Sequence, residues 1–417
     1  MSTLLSFTEG NAPRYPAPDV ARGFMLLLIA LANVGTWAAF TGTWQTSSAL
    51  DSFLTILRLG FVDQRSYPLF AMLFGFGLAI MVQRQRAHSL KYARRRADAM
   101  SRRSRPEYLL AVASEKARNL LHRRAWWMLL VGLLHGLIFP GDVIGSYALV
   151  ALLFAGLIVA EKYRTMIALG VIPLLLGVVG VGIDELIPTG ETEQLLLVEY
   201  TPLTPLLHLG TWVTITLTSL AFSNILLAAA LGAYLATADI ISHPERHRHL
   251  LMASAIVGLS VGVVTGLPAG LVEGGYLSGE GMWWIYGLAS LGGVPAAWGW
   301  LSLLTLFAGP ARQGTDVRGA RWVLCAVGRR SMTAYLAQSL FFLLVFSVAS
   351  AVELPVSESA NVLIACLGWA LIATGCVALE KAGKRGPFEV LLRRAVAQTR
   401  TVEPRPVIAD VAFLTAT

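Results

Sequence analysis

The chain has 417 residues, 55% of them hydrophobic and only 14% charged, with a mean hydropathy of +0.63. Soluble domains carry about 25% charged residues, so a water-soluble globular class is excluded before any motif is read. The formal charge of +8 does not point to nucleic acid. The Lys and Arg fall in connections between apolar runs, where topology and anionic lipid account for them.

In chain order, a polar segment (1–20) with Pro13, Pro16 and Pro18 precedes the first apolar run. That run is too long for a cleavable signal peptide and reads as a span. Spans are expected at 21–41, 66–82, 125–139, 143–160, 165–183, 213–237, 250–272, 284–308, 331–352 and 361–380. Each is near the roughly 20 residues a helix needs to cross, with the second and third short. The expectation is an all-α polytopic integral membrane helical bundle of about ten transmembrane helices over 21–380. Alternate connections test it: every Lys and Arg except Arg58 and Arg65 falls on one side, while the acids divide almost evenly. This bias is the positive-inside pattern. It makes both termini cytoplasmic, including the tail 381–417, and the expected location is the bacterial plasma (inner) membrane.

Two connections carry structure of their own. Residues 50–61 place Leu50, Phe53, Leu54, Leu57 and Phe61 on one stripe opposite Asp51, Thr55 and Arg58, which predicts a short helix lying in the outer interface. The inner loop 83–124 is dense in Lys and Arg, including Arg94, Arg95 and Arg96. It reads as a lipid-surface anchor or as an electropositive mouth for an anionic cytosolic donor. The outer loop 184–212 is acidic, with prolines at 188, 202 and 205, and predicts a small cap. Cys325, Cys366 and Cys376 have no metal-type spacing and read as small apolar residues.

Ionisable groups at membrane depth are costly, so each is a functional candidate. Asp19 and Arg22 open span 1 three residues apart, and Asn33 lies eleven residues further on. Arg22 is either a snorkelling interfacial residue or a planar fork for a phosphate at the cytoplasmic mouth; Asn33 either joins helices or faces a site. Asp63-Gln64-Arg65-Ser66-Tyr67-Pro68 opens span 2. Arg65 there pairs with Asp63 or binds an anionic acceptor. His122-Arg123-Arg124 leads into span 3, and His135 follows near its outer end, before Pro140-Gly141-Asp142. The break at Pro140 lets Asp142 cap span 4 and brings its carboxylate toward the imidazole, the usual means of making a general base. The bland alternative is a buried histidine bonded to a neighbouring helix. Gly328-Arg329-Arg330-Ser331 starts span 9, where free backbone N–H groups favour phosphate. Tyr335, Gln338 and Ser339 give that span a polar face.

Together these clusters resemble the YeiB-type family of bacterial membrane proteins, whose C-terminal half is known as domain of unknown function 418. The resemblance rests on Asp19, Arg22, Gly23 and Asn33; Phe70 with Leu73-Phe74-Gly75; Arg123-Arg124, Gly132, His135, Gly141-Asp142 and Tyr147; Gly328-Arg329, Thr333, Tyr335 and Gln338-Ser339; and Gly386-Pro387-Phe388-Glu389 with Arg393. That family looks related to transmembrane acyltransferases such as heparan-glucosaminide acetyltransferase, which pass an acyl group from cytosolic acyl-CoA to an acceptor across the membrane. The catalytic histidine there lies between the first two spans. The corresponding connection here, 42–65, contains none, and His135 is the substitute argued from position.

The expected function is therefore acyl transfer from acyl-CoA or acetyl-CoA, with no metal, to a small-molecule or glycan acceptor. Arg22, Arg123, Arg124 and Arg329 would hold donor phosphates. His135, Asp142 and Asn33 would perform the chemistry, with Arg65, Tyr335 and Gln338 placing the acceptor. Membrane lipids, anionic at the cytoplasmic face, are the expected partners; nucleic acid is not, and a homodimer is left open. The alternative is a transporter or flippase of an anionic solute or lipid.

Overall fold

The computed structural model describes residues 15–44, 48–99, 106–184, 203–280, 282, 284–310 and 317–399, and fourteen helices lie among them. They run between a basic end, where the Lys- and Arg-rich connections gather, and a far end. Of the acidic cap expected over 184–212, residues 185–202 lie outside the described residues, as do the side chains of Arg94, Arg95 and Arg96, while residues 204–212 are helical.

Helix α1 (Ala17–Phe40) makes the first pass, with Pro18 and Asp19 in its opening turn, where a missing N–H and a negative charge are both tolerated. The second pass is broken. It comprises α2 (Ala49–Phe61), capped by Ser48, which accepts the Asp51 amide at 3.2 Å, and α3 (Ser66–Ala99). The stretch 50–61 is thus a helix but does not lie flat in the interface. Ser52, Ile56 and Leu59 adjoin Gly274, Gly270 and Gly266 in turn, and Arg65 reaches Gly262. At 1.5 Å per residue, α2 descends roughly 18 Å along its neighbour before the break at 62–65. The expected short second span is the inner half of this pass. Leu50 and Phe53 are more than half exposed, while Asp51 and Thr55 are buried. Lipid outside and polar groups inside reverse the usual surface-helix pattern.

A hairpin of α4 (Pro106–Gly136) and α5 (Ile144–Val159) follows, then α6 (Tyr163–Asp184). The expected span 213–237 is also interrupted: α7 (Thr204–Phe222) stops at Ser223-Asn224 and α8 (Ile225–Leu235) continues. Local side-chain bonds replace the helical ladder there. Ser223 Oγ donates to the Ser219 carbonyl and accepts the Ile225 amide, and Asn224 Nδ2 donates to the Ser290 carbonyl at 3.1 Å. Gly177 meets Phe222 and Gly170 meets Leu227, so α7 and α8 descend α6 as one interrupted pass.

Next come α9 (Arg248–Glu273) and α10 (Trp284–Ala308), which pack tightly through Gly258, Gly262, Gly292 and Gly299. The short α11 (Ala320–Gly328) lies against the basic end of α1, followed by α12 (Ser331–Ala351), α13 (Glu358–Lys381) and α14 (Pro387–Gln398). Among the described residues, eight segments are long and apolar enough to cross a membrane. The passes expected at 125–139 and 143–160 are not among them. Their helices fall short in apolar length: α5 is 16 residues long, and α4 carries His122, Arg123 and Arg124 just before its apolar stretch. Among the described residues no disulfide joins the three cysteines.

Close helix approach at two glycines fixes the crossing of the two broken passes. A side chain on Gly75 would run into the Ala229 carbonyl, and one on Gly232 into the Met72 carbonyl. Gly75→Leu and Gly232→Leu are each expected to lower stability by about 1–3 kcal/mol through overpacking. The midpoint of thermal unfolding in detergent reads this directly, and an unmoved midpoint would contradict the crossing.

Candidate functional site

Breaking α4 at Gly136 and restarting the chain as α5 at Ile144 places Asp142 in the reversal. Its Oδ1 lies 2.7 Å from His135 Nδ1, and its Oδ2 accepts the Gly145 amide at 2.9 Å and Trp212 Nε1 at 3.2 Å. Asp142 therefore caps α5 and orients the imidazole at once. With Asp142 Oδ1 as the acceptor, Nδ1 is the donor of this bond and Nε2 is the ring nitrogen left for other contacts. That nitrogen is buried and has no partner among the described residues. The Tyr335 ring stands edge-on to His135 at 5.3 Å, and its hydroxyl accepts the Val143 amide at 3.4 Å.

The pair is not open to the far surface. His135 is 5% and Asp142 1% exposed. Beyond them Phe139 stacks on Trp37 at 5.1 Å, and Trp212 lies against Gly136 and Gly145. The position expected near the outer face is thus roofed by aromatic rings. Helix spacing marks His135 as the far member of its span but says nothing of what α1 and α7 lay over it. Toward the bundle interior, Tyr147 packs on Phe70 at 4.6 Å and donates to the Tyr67 carbonyl at 2.9 Å. Tyr67 in turn donates to Gln64 at the break of the second pass. A side chain on Gly293 would meet both the Gln64 carbonyl and the Asn224 amide, so the two helix breaks adjoin one another at this point.

Asn33 is half-buried on α1 and takes no part in the hydrogen bonding of His135 and Asp142. Arg22 lies 3.5 Å from Asp19 and donates across to the Leu73 carbonyl at 3.5 Å. Arg124 is exposed and feels the charges of Arg22 and Glu389, while Arg123 is half-buried with an unpartnered Nε. These three arginines form a layer eleven residues below His135 along α4, or roughly 16 Å.

Arg329 is held differently. Its guanidinium meets Glu380 at 2.8 Å, and Arg330 meets the same carboxylate at 2.7 Å. The helix start that sequence marks as a phosphate seat is occupied by Glu389. That carboxylate accepts the Met332 amide at 2.9 Å, the Thr333 amide at 3.1 Å and the Thr333 hydroxyl at 2.5 Å. Arg65, 1% exposed, donates to the Asp63 backbone carbonyl at 2.6 Å and to the Gly262 carbonyl of α9. It stays between helices, away from the imidazole. Gln338 donates to the Leu26 carbonyl at 3.0 Å and so ties α12 to α1.

Sequence reasoning misses three features. Trp212 is 70 positions from Asp142 and carries no motif. Glu389 belongs to a recognisable stretch, but nothing local shows it reaching α12. Arg58 joins Glu358 at 2.7 Å and also pairs with Asp63, although its stripe looked like the solvent side of a surface helix. A hydropathy reading that tracked unpaired acids at helix starts could have flagged Glu358.

These observations define a polytopic helical membrane protein with a buried histidine–carboxylate pair and a basic layer beneath it. Residues 235–399 match the family described as Protein of unknown function (DUF418), a resemblance that covers this C-terminal stretch of the chain. No curated protein and no solved structure matches it. The matched stretch includes Arg329, Tyr335, Gln338 and Glu389; His135, Asp142 and the basic layer lie outside it.

Proposed function

We propose that the protein is a membrane-embedded acyltransferase of the bacterial plasma membrane, taking its acyl group from cytosolic acyl-CoA. The observation that carries this reading is the His135–Asp142 pair, whose bond at 2.7 Å leaves Nε2 buried and unpartnered. Most buried polar side-chain atoms are hydrogen-bonded, so an unpartnered Nε2 on a ring whose Nδ1 is held by a carboxylate supports a proton-accepting role. Nε2 would take the proton of the acceptor as it attacks the thioester carbonyl, with Asp142 stabilising the resulting imidazolium. The C–S bond would then break and the imidazolium return the proton to the departing CoA thiolate, which leaves as the thiol. Tyr335 is the nearest hydroxyl-bearing ring and would place the acceptor. Arg22, Arg123 and Arg124 would hold the donor phosphates at the basic end; a pantetheine arm spans roughly the 16 Å between the layers. With the basic end cytosolic, both termini are cytoplasmic.

Calorimetric titration of purified protein with acetyl-CoA tests the donor site. Saturable binding is expected, weakened by about tenfold in Arg124→Ala, since one charge-assisted phosphate contact contributes on the order of 1.5–3 kcal/mol. Absence of binding by any acyl-CoA would remove the proposal.

The transporter reading has an observation of its own. Two interrupted passes adjoin at their breaks, where Gly293 lies against both Gln64 and Asn224, and transporters use discontinuous helices to build substrate sites. It assigns no task to Nε2 of His135. Turnover lost with uptake retained in His135→Ala would favour the enzyme; the reverse pattern would favour the transporter.

A further inference from the structure

At the basic end a cavity of about 400 Å³ opens beside α14, lined by Arg329, Arg330, Glu380, Gly383, Arg385 and Glu389. Its two carboxylates are already engaged. Glu380 bridges Arg329 and Arg330, and Glu389 is turned onto the first amides of α12. Three arginines against two acids leave the lining one positive charge in excess. Arg330 is only 4% exposed, and its Nε has no partner. That nitrogen is itself closed to solvent, so the cavity's accessible positive charge comes from Arg329, whose side chain keeps 26% of its surface, and from Arg385. Arg385 and the neighbouring Lys381 and Lys384 are exposed at the rim. They follow directly on the last turn of α13, where a spanning helix leaves hydrocarbon for headgroups. Basic pockets between spanning helices at this level suit anionic headgroups.

We infer that this cavity binds the phosphate of an anionic lipid headgroup, with Arg329 and Arg385 as its principal donors. The site is distinct from the acyl-transfer layer, because Arg22, Arg123, Arg124 and His135 do not line it. Glu389 lines the cavity while it holds the first amides of α12, so a bound headgroup would sit against the docking point of α14.

Native mass spectrometry of protein released from mixed micelles tests the assignment. Wild-type protein is expected to retain phosphatidylglycerol in preference to phosphatidylcholine. Arg385→Glu, on the exposed rim where folding does not depend on it, should lower that retention by about tenfold, in line with the attraction of a basic residue to an anionic headgroup. Lys162→Glu, an exposed charge reversal elsewhere at the basic end, should leave it unchanged. Equal retention by wild type and Arg385→Glu would overturn the site. A second arm uses inorganic phosphate on protein in phosphatidylcholine nanodiscs. If phosphate alone raises the melting midpoint in an Arg385-dependent way, and phosphatidylglycerol raises it no further, a free phosphate is the ligand and the headgroup assignment falls.

Discussion

Asp142→Asn is expected to lower acyl transfer by about 10²–10⁴-fold, the range for losing a positioned proton acceptor, while leaving the fold and acyl-CoA binding intact. The argument comes from the donors around the carboxylate. Gly145 N and Trp212 Nε1 both donate to Oδ2, so the amide oxygen of an asparagine must turn toward them. Its NH2 group then faces His135 Nδ1, which has to accept instead of donate. The ring proton moves to Nε2, and the lone pair the reaction needs is gone. The hydrogen bonds around the Asp142 side chain are all kept, so stability should barely change. Thiol release from acyl-CoA in proteoliposomes, measured beside calorimetric binding, separates the two effects. Unchanged turnover in Asp142→Asn would remove His135 as the base.

This pair could be anticipated because its parts are local. Pro140-Gly141 forces a reversal, and a carboxylate seven residues from a histidine across a reversal has few places to go. The passes were legible for a similar reason: apolar length and the Lys and Arg bias are properties of single segments. Both interruptions escaped. Ser223 and Asn224 sit inside an apolar run whose averaged hydropathy conceals two residues. In α2 the periodicity correctly separates Asp51, Thr55 and Arg58 from Leu50, Phe53 and Leu57. It carries no information about which face meets protein and which meets lipid. The start of α12 shows the same limit. Its unsatisfied amides could be read from Ser331 onward, but their occupant, Glu389, arrives from a helix 57 positions beyond Met332.

The break in the second pass depends on Arg58, and its removal should have the largest effect on stability. Its Nε holds Glu358 at 2.7 Å and its Nη1 holds Asp63; Glu358 is 1% exposed and its second oxygen has no partner. Arg58→Leu would strand two carboxylates at once, and breaking a buried pair costs about 3–5 kcal/mol. Since the Arg58 side chain keeps 15% of its surface, the lower half of that range is expected. The fall in the unfolding midpoint in detergent reads it. Adding Glu358→Gln should restore part of the loss, because a neutral amide no longer needs the guanidinium; strict additivity of the two changes would show that the pair is uncoupled. The consequence reaches the site. Gln64 and Tyr67 follow directly on Asp63, and the Tyr67 carbonyl accepts the hydroxyl of Tyr147. Arg58→Leu should therefore lower turnover as well as stability, whereas Gly75→Leu, which strains a crossing below this point, should act first on stability. That contrast follows from where each residue sits relative to the break.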